Sequence, residues 1–381
     1  MESGDVINMT RYVSSPYIIH QSTIGEKVKL YNDYSKRYHL LTEEEIRILL
    51  QCKKPLSYNE LCSHFQSQLI DRCIERFLLL KADCMWQYHK IQHIEIETST
   101  VCNWKCDYCP NSIYSRKPQH MELPLFKLIL QRAKEYRHIK YVTLHSYNEP
   151  TLHPHFTELV DEVYRYGFRL MLYTNGSHLD EGKIQHMLRF GNLKGIVFNL
   201  PSLDRDVMEK MTGSSDYDAV IHAIDTAIKN GIDVTFSVQG KGEKRINARS
   251  EIGKKYPGCK IISHDSFDRA GALTNEYRQN YALEADFMEG CITMNEAVNI
   301  TINGDLALCC NDYNHRHLFG NLKEHTLDSL LSGAAYTNIK KTIWGGQKAP
   351  TTFICRHCVM MDMSFERNQR IKNAEGRYLC E

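Results

Sequence analysis

Between residues 91 and about 265 the chain alternates six times between short strand-like runs and amphipathic helices. The expected strands are Ile91–Thr98, Tyr141–Ser146, Phe168–Thr174, Gly195–Leu200, Asp233–Gln239 and Cys259–His264. Helical patterns at Leu123–Tyr136, Phe156–Tyr166 and Tyr217–Lys229 lie between them, and the last places Val220, Ile221, Ile224, Ala227 and Ile228 on one face, with Gly231 where a C-cap glycine belongs. Such alternation predicts a parallel sheet covered by helices. Six units are too few to close an eight-stranded barrel, so the expected class is α/β with an open, partial (β/α)6 TIM barrel. Sites in such sheets lie at the C-terminal ends of the strands.

At the end of the first of these strands stands Cys-Asn-Trp-Lys-Cys-Asp-Tyr-Cys, which sets Cys102, Cys106 and Cys109 on one short loop. Three thiolates so spaced can hold three irons of a [4Fe–4S] cube and leave the fourth iron open to a chelating ligand. Taken alone, the trio fits a zinc site or buried thiols as readily. A second group of cysteines follows near the C-terminus: Cys291, Cys309, Cys310, Cys355 and Cys358.

The flanking regions read differently. Residues 1–90 open with strand-like runs at Tyr17–Ile19 and Lys27–Tyr31 and a turn signal at Asn32-Asp33. Thr42 then caps a helix carrying Ile46, Leu49 and Leu50, and Ser57 caps another with Leu61 and Phe65. An apolar helix over Leu69–Leu80 and a short strand near Cys84–Gln87 complete a winged-helix pattern. From about 286 to 381, Ala297–Ile302, Asn303-Gly304-Asp305 and Leu306–Cys309 predict a β-hairpin, followed by a helix at Leu327–Ser332. The expected domains are therefore 1–90, 91–285 and 286–381.

Lysine plus arginine (47) nearly balance aspartate plus glutamate (46), so no global field points to nucleic acid or an anionic membrane. No apolar run approaches a membrane span, and the first residues lack a signal-peptide pattern. Fourteen cysteines in a chain this large are not needed as staples. Their grouping fits metal ligation in a reducing compartment, so a cytoplasmic protein is expected. Cys52, Cys62, Cys73, Cys84 and Cys259 read as core thiols. His145, His153 and His155 read as structural, without partners at metal spacing.

The cysteine loop, with Tyr108 just before its third cysteine, resembles the signature of the radical S-adenosylmethionine (SAM) superfamily. Tyr147-Asn148-Glu149-Pro150 stands where that family has its Gly-Glu-Pro motif for SAM's amino group, with Asn148 in place of the glycine and Glu149 expected to accept from the ammonium. Asn175 in Thr-Asn-Gly, and Asn199 and Ser202 after the fourth strand, match strand-end positions that the family uses to grip SAM. Cys291, Gly304 and Cys309 reproduce the opening of the SPASM/twitch auxiliary-cluster domain, as do Asp268-Arg-Ala-Gly271 and Cys309-Cys-Asn-Asp312. The resemblance implies two [4Fe–4S] clusters. One is held by Cys102, Cys106 and Cys109 and binds SAM; the auxiliary one is held by Cys291, Cys309, Cys355 and Cys358. A lone Cys380 downstream favours one auxiliary cluster over the two of full SPASM domains. Cys310 is either packing, an alternative ligand or a hydrogen-atom donor of the kind epimerases of this family require.

The N-terminal region resembles the winged-helix peptide-recognition element of enzymes that modify ribosomally made peptides. Glu43-Glu44-Glu45 and the near-neutral charge argue against phosphate contacts. A precursor peptide added along an edge strand is the partner expected, beside a flavodoxin- or ferredoxin-type reductant, with no nucleic acid and no membrane. The resemblance implies a radical enzyme that abstracts hydrogen from a peptide carbon, leading to oxidation, cross-linking or epimerisation. A dehydrogenase or epimerase of an aminosugar-like metabolite is the alternative reading. A non-catalytic, metal-binding winged-helix regulator stands behind both.

Overall fold

A computed structural model describes residues 10–24, 27–263, 265–277, 283–288 and 290–358. Cys380 and His264, the last residue expected in the sixth strand, lie outside these residues. The chain divides into two compact units.

The first unit gathers Met1–Lys90 with Ala282–Asn295 and Leu331–Glu381. Strand β1 (Arg11–Ser14) is followed by β2 (Ile18–Ile24), β3 (Lys27–Asn32) and β4 (Arg37–Leu41). Strands β2, β3 and β4 form an antiparallel sheet in that order. A helix at Glu43–Gln51 begins with a capping box: the Thr42 hydroxyl accepts from the Glu45 N–H, and the Glu45 carboxylate accepts from the Thr42 N–H. Ser57 and Glu60 repeat the device at Tyr58–Cys62, beside the two-residue strand β5 (Leu56–Ser57). Val28, Leu30, Leu41, Ile48, Leu61 and Ile70 bury the faces these elements share.

The apolar run expected to be helical through Leu80 is cut in two. Its helix covers Ser67–Glu75, and Leu79–Lys81 forms β6. Phe77 takes a left-handed φ of 57°, and the Asn32 amide donates to the carbonyls of Arg76 and Phe77. The chain then turns so that β6 pairs with β1, which pairs with β5 on its other side. A continuous apolar run serves a buried strand as well as a helix, so periodicity alone does not separate them. The strand expected near Cys84–Gln87 is a 3-10 turn at Met85–Gln87. Cys52 and Cys73 are buried, as core thiols should be, whereas Cys62 at a helix end is exposed and Cys84 is half-buried.

The second unit comprises Ile91–Tyr281 and Glu296–Leu330. Its strands are β7 (His93–Ile96), β8 (Tyr141–Thr143), β9 (Arg169–Thr174), β10 (Leu193–Asn199), β11 (Val234–Val238) and β12 (Lys260–Ser263). All six run parallel in sequence order, each paired with the next. This is the partial (β/α)6 barrel. The expected helices appear at Leu123–Tyr136, Phe156–Arg165 and Tyr217–Lys229, and further ones run at Glu181–Leu188, Arg205–Thr212 and Gly242–Lys255.

Beyond β7 the sheet continues. Strand β13 (Ala297–Ile300) pairs parallel with β7, and the hairpin strand β14 (Asp305–Ala307) and then β15 (Leu318–Asn321) extend it antiparallel to nine strands. Gly304 sits at φ 91° in the hairpin turn, where an L side chain would be strained.

The two faces of the barrel sheet differ. Ile94, Ile96, Val142, Leu170, Leu172, Ile196, Phe198, Val234 and Phe236 lie at most 3% exposed. They share one face, with Ile94 beside Val142, Val142 beside Leu170 and Phe198 beside Phe236. Alternate positions carry His93, Glu95, Thr143, Tyr173, Thr235 and Ser237. A parallel sheet buried in hydrocarbon on both sides reads as a nearly continuous apolar run. This alternation therefore marks a barrel with a polar interior.

Candidate active site

The cysteine loop is anchored from both sides. The Lys105 and Asp107 N–H groups donate to the carbonyls of Thr212 and Met211, each at 2.9 Å, and the Glu149 N–H donates to the Val101 carbonyl at 2.9 Å. Trp104, 1% exposed, plugs the loop into the core, and its indole N–H donates to Asp216 Oδ2 at 2.9 Å. Asn103 donates to the same carboxylate and to Ser177 Oγ. Neither Trp104 nor Asp216 had a signal in the sequence, since their pairing spans the whole set of strands between them.

The three thiols lie close enough to influence one another: Cys109 and Cys102 both act on Cys106, and Cys109 acts on Cys102. Burial pushes Cys102 up to about 12 and raises Cys106 and Cys109 as well. Thiols raised in this way become thiolates only against a strong positive charge, which the irons of a cluster provide. Among the described residues no three His, Cys, Asp or Glu side chains are gathered as a single-ion site. A cubane places each thiolate on a separate iron. Three cysteines on one loop are the number of thiolates that a cube with one open iron takes.

Strand ends close around this loop. Asn199, at the end of β10, donates to the Tyr108 hydroxyl at 2.8 Å and reaches Cys106 Sγ at 4.0 Å. Asn175, after β9, donates to Asn103 Oδ1 at 2.9 Å. Glu149 is 2% exposed. Its Oε1 accepts from the Thr151 N–H and hydroxyl and from Thr174 Oγ1, and its Oε2 accepts from the Asn175 N–H at 2.7 Å. The carboxylate thus ties the ends of β8 and β9 together.

Asn148 is not among the described non-glycine residues with positive φ, so the backbone here makes no demand for glycine. Its side chain rebuilds the turn: Oδ1 accepts from the Ser146 N–H at 2.8 Å, and Nδ2 donates to the Leu144 carbonyl at 3.1 Å. Ser202 closes its own turn, accepting from the Asp204 N–H. Tyr108, Asn199, Asn175 and Glu149 are thereby linked to the cysteine loop, while Asn148 and Ser202 serve their own loops.

Cys309 and Cys310 follow β14 in the barrel unit, whereas Cys291, Cys355 and Cys358 belong to the first unit. The Tyr147 hydroxyl donates to the Cys310 carbonyl at 2.5 Å. Tyr147 stands edge-on to Tyr313, and the Tyr313 hydroxyl donates to Asn111 Oδ1, whose amide donates to the Tyr147 carbonyl. Glu97, 1% exposed, takes a two-pronged ion pair from Arg116 at 2.5 and 2.9 Å and the Ile302 N–H at 3.3 Å. Of the three histidines, His145 stacks on Tyr173, His153 meets the Met121 carbonyl and accepts from the His155 N–H, and His155 pairs with Glu158.

Comparison with known proteins agrees with this geometry. Residues 96–247 match the radical SAM superfamily, and residues 291–359 match the SPASM iron–sulfur cluster-binding domain. An S-adenosyl-L-methionine-dependent 2-deoxy-scyllo-inosamine dehydrogenase from Niallia circulans is 23% identical over 271 residues, covering 70% of this chain and 91% of that protein. Streptococcus suis SuiB, solved with its precursor peptide SuiA, shares the fold with a TM-score of 0.57 at 14% identity, over 86% of this chain and 90% of SuiB. The enzyme anSMEcpe, solved with AdoMet, shares it with a TM-score of 0.55 at 13% identity, over 74% of this chain and 93% of the other. With the thiol trio at the end of β7 and the SPASM match behind it, the chain is a member of the radical SAM superfamily with a C-terminal SPASM domain.

Proposed function

We propose that this radical SAM enzyme modifies a ribosomally made precursor peptide. The observation that carries the reading is the N-terminal sheet. Strand β4 pairs with β3 in that sheet, and it presents Tyr38 at 59% and Leu40 at 51% exposure on one face. A leader peptide added along this edge gains main-chain hydrogen bonds and two apolar anchors. Lys29 lies over the Tyr38 ring and stiffens it.

In this reading Cys102, Cys106 and Cys109 hold the SAM-binding cluster, and Cys291, Cys309, Cys355 and Cys358 hold the auxiliary one. When bound, the cluster and SAM supply a 5′-deoxyadenosyl radical that takes a hydrogen atom from the substrate. Tyr108 and Asn199 fix the wall of the cysteine loop. Asn175 and Ser202 offer polar contacts to SAM from the strand ends. Glu149 accepts three hydrogen bonds on Oε1 and one on Oε2, so Oε2 keeps a lone pair for a further donor. The SAM ammonium is assigned to that Oε2 position, with the backbone carbonyl of Asn148 beside it. Cys310, beside Cys309, is the candidate hydrogen-atom donor, and a cytoplasmic flavodoxin or ferredoxin the electron source. The domains assigned are 1–90 for the peptide, 91–285 for the radical and 286–381 for the auxiliary cluster.

The test uses the full chain, because 1–90 shares its compact unit with C-terminal residues and does not stand as a separable piece. Tyr38→Asp and Leu40→Asp should raise the apparent KM for a precursor encoded beside the enzyme by about 10-fold or more, the cost of losing buried apolar anchors. Affinity should depend weakly on salt, unlike a phosphate contact. Normal KM in both variants would remove the edge-strand reading. The similarity to an inosamine dehydrogenase favours a second reading, a small aminocyclitol substrate, and turnover of such a compound with no turnover of any peptide would establish it.

A further inference from the structure

The barrel interior holds polar groups without hydrogen-bond partners, and they lie side by side. Asn299 on β13 is 7% exposed, and neither its amide oxygen nor its amide nitrogen is paired. Thr143 on β8 is 0% exposed, with Oγ1 unpaired. Glu95 on β7 sits between them, in register with Asn299 on one side and Thr143 on the other. Register partners of parallel strands share a face, so three side chains from adjacent strands, about 4.8 Å apart strand to strand, line one strip of the interior.

Groups left this way are costly to bury, and of these three residues Glu95 and Asn299 border open space. Glu95, Glu97, Ser146, Asn299, Cys309 and Cys310 line a cavity within the barrel unit. Its two carboxylates differ in kind. Glu97 is committed to Arg116 and the Ile302 N–H, while the charge that acts on Glu95 is the like-signed Glu296. Nearby His93 and His145 bring no cation, because burial holds them neutral, down to about 4 and about 3. At the cavity the strip therefore offers a carboxylate and an amide oxygen as acceptors, with the Thr143 hydroxyl beside Glu95 in register.

A primary ammonium group presents three N–H donors and one positive charge, the complement of this set. We infer that Glu95 and Asn299, with Thr143 beside Glu95 in register, form a substrate-positioning subsite that takes a primary ammonium group on the substrate. The cavity also reaches Cys309, so a substrate held here lies beside a proposed ligand of the auxiliary cluster. The ammonium can come from a lysine of the precursor peptide or from a free aminocyclitol. The peptide form of the inference rests on the function proposed above; the subsite itself does not.

The test uses the full-length, cluster-reconstituted protein and n-pentylammonium, the lysine side chain extended by its Cα carbon, with n-pentanol as its neutral match, both in equilibrium dialysis. Pentylammonium should bind the wild type more tightly than pentanol. Glu95→Gln should weaken it about 10- to 100-fold, the range for a hydrogen bond to a charged group, and leave pentanol unchanged. Asn299→Asp, which adds a second carboxylate, should tighten it and serves where Glu95→Gln loses its iron. Equal binding of the two probes to wild type would overturn the inference, as would pentylammonium binding that neither variant changes. Competition then separates the sources. Displacement by a lysine-bearing precursor but not by its acetyl-lysine form assigns the subsite to the peptide. Displacement by an aminocyclitol alone keeps the subsite and removes the peptide reading.

Discussion

Replacing Glu95 by glutamine should stabilise the protein in a pH-dependent way that follows from the carboxyl's position. Burial on the inner barrel face, with Glu296 adding like charge, raises this group from its ordinary 4.5 to about 7. Between those values the folded chain keeps a proton that the unfolded chain has released. Stability from this group is therefore fully present below the unfolded value and is lost as pH rises through about 7. The span from 4.5 to about 7, at 1.36 kcal/mol per pH unit, corresponds to about 3 kcal/mol. Glutamine mimics the neutral acid, so the variant should match wild type near pH 4.5 and exceed it by up to about 3 kcal/mol at pH 8. In a unit of roughly 150–250 residues that is a rise of about 6–12 °C in Tm. The assay is anaerobic thermal unfolding of both proteins at equal iron content, in amine-free buffers from pH 4.5 to 8.5. Differences between the two at each pH remove the shared pH dependence of the clusters. A variant that gains nothing at pH 8, or gains equally at pH 5, would show that Glu95 does not carry a destabilised charge in the fold.

Other substitutions separate the remaining roles. Joint replacement of Cys102, Cys106 and Cys109 by alanine should remove about half of roughly eight irons, by ligand count, and abolish SAM cleavage; iron analysis showing stoichiometric zinc instead would refute the cluster assignment. Cys355→Ala or Cys358→Ala should leave uncoupled formation of deoxyadenosine but no modified product, read by mass spectrometry, and full product would show the auxiliary cluster to be dispensable. Asn148→Ala removes the bonds to Ser146 and Leu144 and should cost about 1–2 kcal/mol in denaturant unfolding, while SAM affinity changes little, because the proposed grip there is backbone. A large loss of SAM affinity at unchanged stability would reassign the Asn148 side chain to SAM.

The barrel was legible because its signal is local and repeated. Each strand–helix unit announces itself by period, and the helices at Leu123–Tyr136 and Tyr217–Lys229 run where the apolar spacing puts them. The same reasoning failed at Leu79–Lys81, where the deciding facts are the left-handed Phe77 and the side-chain amide of Asn32, far away in sequence. An apolar run states that it is buried, and tertiary partners decide whether it is buried as helix or strand. Likewise the hairpin after Ala297 was visible in its turn residues, but its parallel pairing with β7 was not. Nothing in a strand's own sequence names a neighbour two hundred residues away.

The site divides along the same line. Cysteine spacing is a property of one loop and survives in the sequence, whereas Trp104 with Asp216, or Glu149 with Thr174 and Asn175, exist only once strands are set side by side. One long-range feature did leave a trace. His93, Glu95 and Glu97 alternate with Ile94 and Ile96 in a strand expected to lie within a parallel sheet. Hydrocarbon on both faces would have filled all five positions with apolar residues. Three polar side chains at period two therefore require a polar interior. Of these, Glu97 is satisfied within the fold and Glu95 is not, and only the structure draws that distinction. It separates a carboxylate held by Arg116 and the Ile302 N–H from one that we assign to a substrate ammonium.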